Sequence, residues 1–226
     1  MRQDELVSSF LELDQKYGTD KVSQHGYHFF YPRFLEPLRD QEFTMLEIGY
    51  HEGASARMWE EYFPHARIFA MDIDKSGVFG RHEVIQGDQG NIEDLQRAAA
   101  KVGPAKLIID DGSHHPIHQF ETFNYLFSTL LEPGGVYIIE DVECNYWHPG
   151  SSVYGYRIGF FSAIEASTKL IDLVNAEFSG RNNSVGISTI SYGQNCIIIT
   201  KQTPEERFHF DRGYHFQGFI DGPAAG

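Results

Sequence analysis

The sequence contains only two cysteines, and their positions exclude several classes of protein. Cys144 and Cys196 lie far apart, and neither belongs to a CxxC pair. Structural zinc sites and disulfide-rich secreted domains need more cysteines at closer spacing. We therefore expect two free thiols in a cytoplasmic protein, with a single disulfide between them as the alternative.

Long apolar runs and clusters of basic residues are also absent. No run approaches the ~20 apolar residues of a membrane span, and the first residues, MRQDELVSSF, lack the apolar core of a signal peptide. The formal net charge is −14 at pH 7, and the sequence pI is about 5.1. Because no Lys/Arg cluster is long enough to follow a phosphate backbone, the sequence predicts neither a nucleic-acid partner nor membrane association.

The chain lacks internal repeats and low-complexity linkers, so its 226 residues are expected to form one domain. From residue 44 onward, strand-like and helix-like segments alternate, which predicts an α/β fold with a mostly parallel sheet and helices on both faces. Residues 161–178 predict one helix, and the two runs around Gly193 predict a closing antiparallel hairpin. We divide the domain into an N-terminal helical segment (1–43), a core (44–201) and a tail (202–226).

What the sequence does contain is apolar runs that end in acids. The most pronounced are residues 107–115 (LIIDDGSHH) and residues 137–143 (YIIEDVE). They are separated by roughly the length of one strand-helix-strand unit, so Asp110 and Asp111 should end one strand and Glu140 and Asp141 its neighbour. Four converging carboxyls repel one another unless protons or a cation intervene, and oxygen ligands favour a hard ion such as Mg²⁺.

A glycine-rich turn follows the first strand-like run of the core, in FTMLEIGYHEGAS. Gly49 and Gly53 allow a tight turn that a ligand can approach closely. The pattern is ExGxxxG, with Glu47 where a dinucleotide-binding turn has glycine. A carboxylate there favours a ligand with an ammonium or sulfonium group over a phosphate. The alternative is a turn without a binding role.

The next two strand-like runs also end in polar side chains. Asp72 directly follows one of them and is placed to accept both hydroxyls of an adenosine ribose. Asp88 and Gln89 end the other, where a side chain can hydrogen-bond an adenine edge. For Asp88 the alternative is a cap on the helix that begins near Ile92.

The aromatic segment HGYHFFYPRFLEPL, near the N-terminus, is too apolar for an ordinary solvent-exposed loop. It either covers the edge of the sheet or forms a lid over a ligand. In a lid, the candidates for substrate contact are His25, Tyr27, His28 and Tyr31.

Taken together, these motifs resemble a known family. ExGxxxG, the acid after the second strand and LEPGG before the fifth resemble a class I S-adenosylmethionine-dependent methyltransferase. More narrowly, KYGTDK, LEIGYHEGAS, IIDDGSHH and IIEDVE are similar to the metal-dependent sugar O-methyltransferases of antibiotic biosynthesis, the macrocin and mycinamicin type. The match runs from about residue 17 to residue 201.

The resemblance implies a Rossmann-like, seven-stranded sheet, S-adenosylmethionine and Mg²⁺ as cofactors, and a small glycoside as substrate. It implies metal ligation by Asp111, Glu140 and Asp141 and a general base at His114, with His115 as the neighbouring alternative. Assembly into a homo-oligomer is compatible with it. The residues then assigned to the cofactor are Glu47, Gly49, Gly53, Asp72, Asp88, Gln89 and Asp110.

Three alternatives stay open at this point. His114 could be a metal ligand, or a helix N-terminal residue without a chemical role. A metal-dependent hydrolase would also use clustered acids and histidine, but it would not need the acids of the first three strands. The third alternative is a non-catalytic module that binds S-adenosylmethionine.

Overall fold

A computed structural model describes residues 3–211 of the chain. The expected tail therefore lies partly outside the described residues. The part that is described contains a helix at Pro204–Asp211, which the sequence analysis did not predict.

In chain order the strands are β1 Thr44–Ile48, β2 Arg67–Asp72, β3 Gly77–Phe79, β4 His82–Gln86, β5 Ala105–Asp110, β6 Leu131–Glu140, β7 Ser152–Val153, β8 Tyr156–Arg157, β9 Ile187–Gly193 and β10 Cys196–Lys201. Eight of them form the core sheet, with strand order β3-β4-β2-β1-β5-β6-β10-β9. The pairs among β4, β2, β1, β5 and β6 are parallel, and β10 pairs antiparallel with both β6 and β9. A separate two-stranded hairpin joins β7 and β8.

The mostly parallel sheet and the C-terminal hairpin confirm the predicted fold class. The number of strands differs from the expected seven, because the short strand β3 pairs antiparallel with β4 at the edge of the sheet. All three residues of β3 are exposed. They therefore lack the buried apolar pattern from which a strand is predicted.

Helices cover both faces of the sheet, as predicted. Alternate residues of a strand point to opposite faces, so Leu46 and Ile108 join one apolar cluster while Met45 and Leu107 join the other. The helices are α1 Gln3–Tyr17, α2 Pro32–Leu35, α3 Ala54–Tyr62, α4 Ile92–Val102, α5 Pro116–Thr129, α6 Ala163–Thr168, α7 Ile171–Val174, α8 Ala176–Ser179 and α9 Pro204–Asp211. Of these, α4 and α5 pack on the first cluster, and α1 and α3 on the second.

The helix predicted over residues 161–178 is broken into α6, α7 and α8. Ser167 and Thr168 each donate a side-chain hydrogen bond to the carbonyl three residues before. Asn175 leaves helical geometry at ψ 37°. Side chains that hydrogen-bond to the local backbone compete with a continuous helix, which explains the interruptions.

The N-terminal segment belongs to the core. Phe10, Tyr27 and Tyr31 are fully buried beside Trp59 of α3, in the apolar cluster on one face of the sheet. The ring centroids of Tyr27 and Tyr31 are 5.1 Å apart, and the two rings are nearly parallel. This segment therefore packs against one face of the sheet, and its polar side-chain atoms lie next to the strand ends.

Both cysteines are buried free thiols, as predicted. Burial raises the pKa of each thiol, Cys144 and Cys196, to about 12. Among the helices within residues 3–211, none combines the length and the apolarity that crossing a bilayer requires.

Candidate active site

The acids that end neighbouring strands meet at one edge of the sheet, as the strand spacing predicts. Asp110 of β5 is in register with Ile48 of β1 on one side and with Ile139 of β6 on the other. Asp111, which follows β5, and Glu140, the last residue of β6, therefore lie side by side at this edge.

Two of these acids and one histidine form a group whose size suits a metal ion. Asp111, His114 and Asp141 each offer one ligand atom, and these atoms all lie within 4.8 Å of one another. His114 Nε2 is 3.6 Å from Asp141 Oδ2. His114 Nδ1 is buried and has no hydrogen-bond partner among the described residues. The two carboxylates suit a hard divalent cation, whereas an imidazole is a ligand of Zn²⁺ and other transition metals.

The backbone at two of these residues has an unusual conformation. His114 has φ 54° and Asp141 has φ 52°, both in the left-handed region. That conformation costs a non-glycine residue of the order of 1–3 kcal/mol and tends to occur at functional sites. The imidazole of one and the carboxylate of the other lie 3.6 Å apart.

A lysine that the sequence analysis did not single out lies among the acids. Lys21 is fully buried, and its Nζ donates to Asp111 Oδ2 and Glu140 Oε2, each at 2.7 Å. Glu47 Oε1 is 3.6 Å away. Burial alone would lower the pKa of Lys21, but the charges of Asp111, Glu140 and Glu47 outweigh it and raise that pKa well above its usual value. The site therefore contains a fixed positive charge of its own.

Glu140 lies apart from the three-residue group. One of its oxygens accepts from Lys21, and the other accepts from the hydroxyl of Tyr31. The carboxylate expected as a metal ligand is therefore bound to the N-terminal segment in this structure.

Another tyrosine of the N-terminal segment, Tyr27, contacts Asp141. Tyr27 donates its hydroxyl to Asp141 Oδ1 at 2.8 Å, and Asn195 Nδ2 donates to the same oxygen at 2.9 Å. His25 Nδ1 is 3.5 Å from that oxygen. Of the four substrate-contact candidates, Tyr27, Tyr31 and His25 thus contact the acids, whereas His28 packs against Phe29.

The two adjacent histidines have different environments. His115 precedes the first residue of α5, and its Nε2 is 2.9 Å from the backbone oxygen of Arg157. Its ring lies beside His118 and Tyr156, away from the acids. The structure therefore brings His114, and not His115, to the Asp111 and Asp141 carboxylates.

The glycine-rich turn depends on Gly49. Its φ is 94°, and a Cβ at this position would collide with the backbone oxygen of Asp111. Gly53 also has a positive φ, 71°, at the start of α3. The turn after β1 is thus packed against the loop that carries Asp111.

The carboxylate of Glu47 is buried beneath this turn. It accepts from Ser55 Oγ at 2.8 Å and from Trp59 Nε1 at 3.0 Å, and its exposure is 0%. The ExGxxxG pattern predicts a direct contact between Glu47 and a positively charged ligand. The structure instead places this carboxylate where it holds α3 and Lys21 against the turn.

Asp72 connects the turn after β1 with the turn after β2. Its Oδ2 accepts from the backbone N–H groups of Tyr50 and His51, and its Oδ1 accepts from those of Asp74 and Lys75. These four bonds match the number of lone pairs on a carboxylate. A ribose would therefore have to take the place of some of these backbone donors.

The polar residues after β4 have separate roles. Asp88 accepts from Tyr156 and lies at a cavity of about 450 Å³, which is lined by Ile73, Gln86, Gly87, Asp88, Asp94 and Arg97. The cap of α4 is Asn91, whose side chain accepts from Glu93 N, so the capping alternative for Asp88 is wrong.

Gln89 points away from that cavity. Its Nε2 donates to both oxygens of the fully buried Asp110, at 2.7 and 2.8 Å, and its Oε1 accepts from Ser113 N. Burial raises the pKa of Asp110 to about 7. In this structure Gln89 and Asp110 form an internal pair that supports the loop after β5, and neither faces the crevice.

Comparisons with known proteins agree with the motifs. The chain is 42% identical over 149 residues to mycinamicin VI 2''-O-methyltransferase of Micromonospora griseorubida, covering 62% of this chain and 37% of that protein. It is 36% identical over 193 residues to a rhamnosyl tetracenomycin-C 2'-O-methyltransferase of Streptomyces olivaceus, covering 77% and 48%. The chain is a relative of the sugar O-methyltransferases of antibiotic biosynthesis.

A solved structure extends this likeness to the fold. MycE methyltransferase, from the mycinamycin biosynthetic pathway and in complex with Mg and SAH, superposes with a TM-score of 0.74 at 32% identity. The match covers 86% of this chain and 54% of MycE. The chain thus spans about half the length of the relatives that it matches. No protein-family model matches it.

Proposed function

We propose that this chain is a methyltransferase that uses S-adenosylmethionine and a divalent cation to methylate a sugar hydroxyl of a glycosylated natural product. The observation that carries this proposal is the group Asp111, His114 and Asp141 at the strand ends. The relatives supply the context, since they are named as O-methyltransferases of mycinamicin VI, of a rhamnosyl tetracenomycin-C and of demethylmacrocin. The buried free thiols agree with a cytoplasmic location.

The donor set fits a metal such as Mg²⁺. Asp111 and Asp141 would hold the ion. Glu140 stays a candidate third ligand, because a carboxylate oxygen that accepts from Lys21 or Tyr31 keeps a second lone pair. A bound divalent ion would make a sugar hydroxyl more acidic and would orient two neighbouring oxygens.

His114 is the proposed general base. Its imidazole would take the hydroxyl proton while the sugar oxygen forms a bond to the methyl carbon and the carbon–sulfur bond of the sulfonium breaks. The electron pair of that bond stays on sulfur, so the cofactor leaves as a neutral thioether. The nearby carboxylate of Asp141 would stabilise the imidazolium that results.

The cofactor would lie across the turns after β1, β2 and β4. Gly49 lets the first turn pack closely against the loop that carries Asp111, which brings the cofactor crevice next to the metal group. Ile73 is exposed at the cavity that Asp88 lines, so it offers an apolar surface to an adenine ring. Glu47 would act indirectly, by fixing α3 and the turn.

The ribose assignment can be tested at Asp72. Replacing Asp72 by alanine is expected to weaken S-adenosylhomocysteine binding by about 10- to 100-fold, because a charged acceptor for two hydroxyls is lost. Isothermal titration calorimetry measures this. Asp74→Ala is the matched control, because Asp74 is exposed on the same turn and should bind normally.

Asp72→Asn separates recognition from loop support. Asparagine keeps one acceptor oxygen for the backbone donors but lacks the charge. If this variant unfolds at the wild-type temperature and binds S-adenosylhomocysteine as tightly as the wild type, the ribose assignment is wrong.

The proposed activity is tested by mass spectrometry. The protein is incubated with S-adenosylmethionine, Mg²⁺ and a panel of deoxysugar-bearing natural products, and each product is inspected for the gain of one methyl group. Addition of EDTA should abolish the gain. Hydrolysis of a glycoside without S-adenosylmethionine would favour a hydrolase instead. Cofactor binding without any methylated product would favour a non-catalytic module.

A further inference from the structure

The β7–β8 hairpin is a small unit outside the main sheet. Its two-residue turn, Tyr154 and Gly155, has positive φ at both positions, 45° and 87°, as a tight type I′ turn requires. Val153 and Ile158 pack with Cys144 in a buried cluster that is separate from the two large ones. The hairpin therefore has its own packing, and its contacts with the crevice are made by a few groups that can be tested one at a time.

The first of these contacts joins the hairpin to the turn after β4. The hydroxyl of Tyr156 donates to Asp88 Oδ1 at 2.8 Å, and the same oxygen accepts from the backbone N–H of Gly90 at 2.7 Å. Burial and the bond to Asp88 raise the pKa of Tyr156 to about 12, so this hydroxyl is a donor at neutral pH. Two donors occupy both lone pairs of Oδ1. They thereby fix the direction of the second oxygen, Oδ2.

Oδ2 of Asp88 accepts no hydrogen bond from the residues that the structure describes. The cavity of about 450 Å³ has one other carboxylate in its lining, Asp94. Asp94 pairs with Arg97 at 2.7 Å and also accepts from the backbone N–H of Asp88. Of the two carboxylates at this cavity, Asp88 is thus the one with an oxygen available to a ligand that donates a hydrogen bond.

The ring of Tyr156 is held independently of its hydroxyl. It packs edge-on against His118, with ring centroids 4.5 Å apart. His118 in turn has its Nδ1 3.0 Å from Ser113 Oγ. Replacing Tyr156 by phenylalanine therefore removes the bond to Asp88 and leaves the ring contact in place.

The same hairpin also contacts the two adjacent histidines. The backbone oxygen of Arg157 can only accept, so His115 donates to it through Nε2, at 2.9 Å. The ring centroid of Tyr154 lies 5.4 Å from that of His114. The hairpin thus connects the turn after β4 with the loop that carries the metal group.

We propose that Tyr156 is a positioning residue for cofactor recognition: it directs the free oxygen of Asp88 to accept from the 6-amino group of adenine. The inference rests on the proposed function, because it takes adenine as the ligand of the cavity that Asp88 lines. It extends that function by giving the β7–β8 hairpin the role of a strap across the cofactor crevice.

The test compares two ligands by isothermal titration calorimetry, S-adenosylhomocysteine and S-inosylhomocysteine, which has an acceptor oxygen in place of the 6-amino group. We expect the wild type to prefer the adenosyl ligand by about 10-fold or more, because a hydrogen bond to a charged group is at stake. Tyr156→Phe should lower the affinity for the adenosyl ligand by about 3- to 10-fold, the effect of having to order one side chain on binding. The affinity for the inosyl ligand should stay unchanged.

Asp88→Asn tests the direction of the free oxygen. The amide oxygen should take the place of Oδ1, because Tyr156 and Gly90 both donate there, so the amide nitrogen takes the place of Oδ2. This variant should therefore prefer the inosyl ligand. Tyr146→Phe, which removes an exposed hydroxyl shortly before the hairpin, is the matched control and should keep the wild-type affinities.

Trypsin cleavage after Arg157 reports on the strap itself, since Arg157 is exposed on β8. S-adenosylhomocysteine should slow this cleavage in the wild type, because a bound adenine fixes the carboxylate to which the hairpin is bonded. The protection should be lost in Tyr156→Phe. Mass spectrometry identifies the cleavage site.

The outcomes separate this proposal from the proposed function. An equal loss of affinity for both ligands in Tyr156→Phe would show a merely structural role, and tighter binding would show that Tyr156 competes with the cofactor. Either result overturns the positioning role, while the cofactor assignment stands as long as Asp72→Ala weakens binding. A wild type that binds neither ligand rejects the proposed function, and this proposal with it.

Discussion

Lys21→Met is expected to lower the free energy of unfolding at pH 7 by about 3–5 kcal/mol, the usual cost of removing one partner from a buried ion pair. Methionine fills a similar volume but leaves Asp111, Glu140 and Glu47 without their shared cation. Urea unfolding at pH 7 measures the loss. The deficit should shrink in acid, where the three carboxyls are protonated and no longer require a positive charge.

Lys16→Met is the matched control, since it makes the same substitution at a lysine that pairs with Glu61 on the surface. Its stability should stay close to that of the wild type, because exposed ion pairs contribute little. Equal stabilities for the Lys16 and Lys21 variants would show that the buried ammonium does not hold the acids together. Mg²⁺ should raise the stability of Lys21→Met more than that of the wild type, because the ion can replace part of the missing charge.

The second large effect is on the reaction. His114→Ala is expected to lower kcat by about 10²- to 10⁴-fold, the usual contribution of a positioned proton acceptor, while the affinities for Mg²⁺ and S-adenosylhomocysteine stay nearly intact. Activity is measured across a Mg²⁺ titration. Restoration of activity by excess Mg²⁺ would make His114 a metal ligand, as its place in the three-residue group allows.

Two further variants control for the histidine substitution. His65→Ala removes an exposed imidazole and should have no effect on kcat. His115→Ala removes the contact to the Arg157 carbonyl at the start of α5, so it should reduce stability more than kcat. If His115→Ala lost as much kcat as His114→Ala with its fold intact, the assignment of the base to His114 would fail.

The sequence was sufficient to predict where the acids converge. Asp110, Asp111, Glu140 and Asp141 follow buried apolar runs, and parallel strands bring such ends to one edge. His114 could be placed near them because it is only three residues beyond Asp111. Which of the adjacent histidines faces the acids could not be predicted, since it depends on the left-handed backbone at His114.

Contacts between residues far apart in the chain could not be predicted from the sequence. Lys21 ends the KYGTDK motif, but a lysine in a turn-like segment gives no local sign that it will be buried among acids. The same holds for Asn195, which reaches Asp141 only because β10 pairs with β6. Hydrogen bonds within the protein also engage two side chains that were expected to contact the cofactor. Glu47 near the end of β1 and Gln89 after β4 are occupied by protein partners, although the ends of both strands line the crevice.

The hydrogen bonds of the N-terminal segment also determine the order in which parts of this site can form while the chain is being synthesised. Lys21 precedes Asp111 by 90 positions and Glu140 by 119, and His25 precedes Asn195 by 170. The segment is synthesised before its partners, so its contacts to Asp111, Glu140 and Asp141 become possible once β6 and the turn after it have been made, and its contact to Asn195 once β9 has been made. Contacts between such distant residues form slowly. Until then, the aromatic residues of the segment would be exposed on the nascent chain, and the carboxylates of the strands would remain without their internal cation.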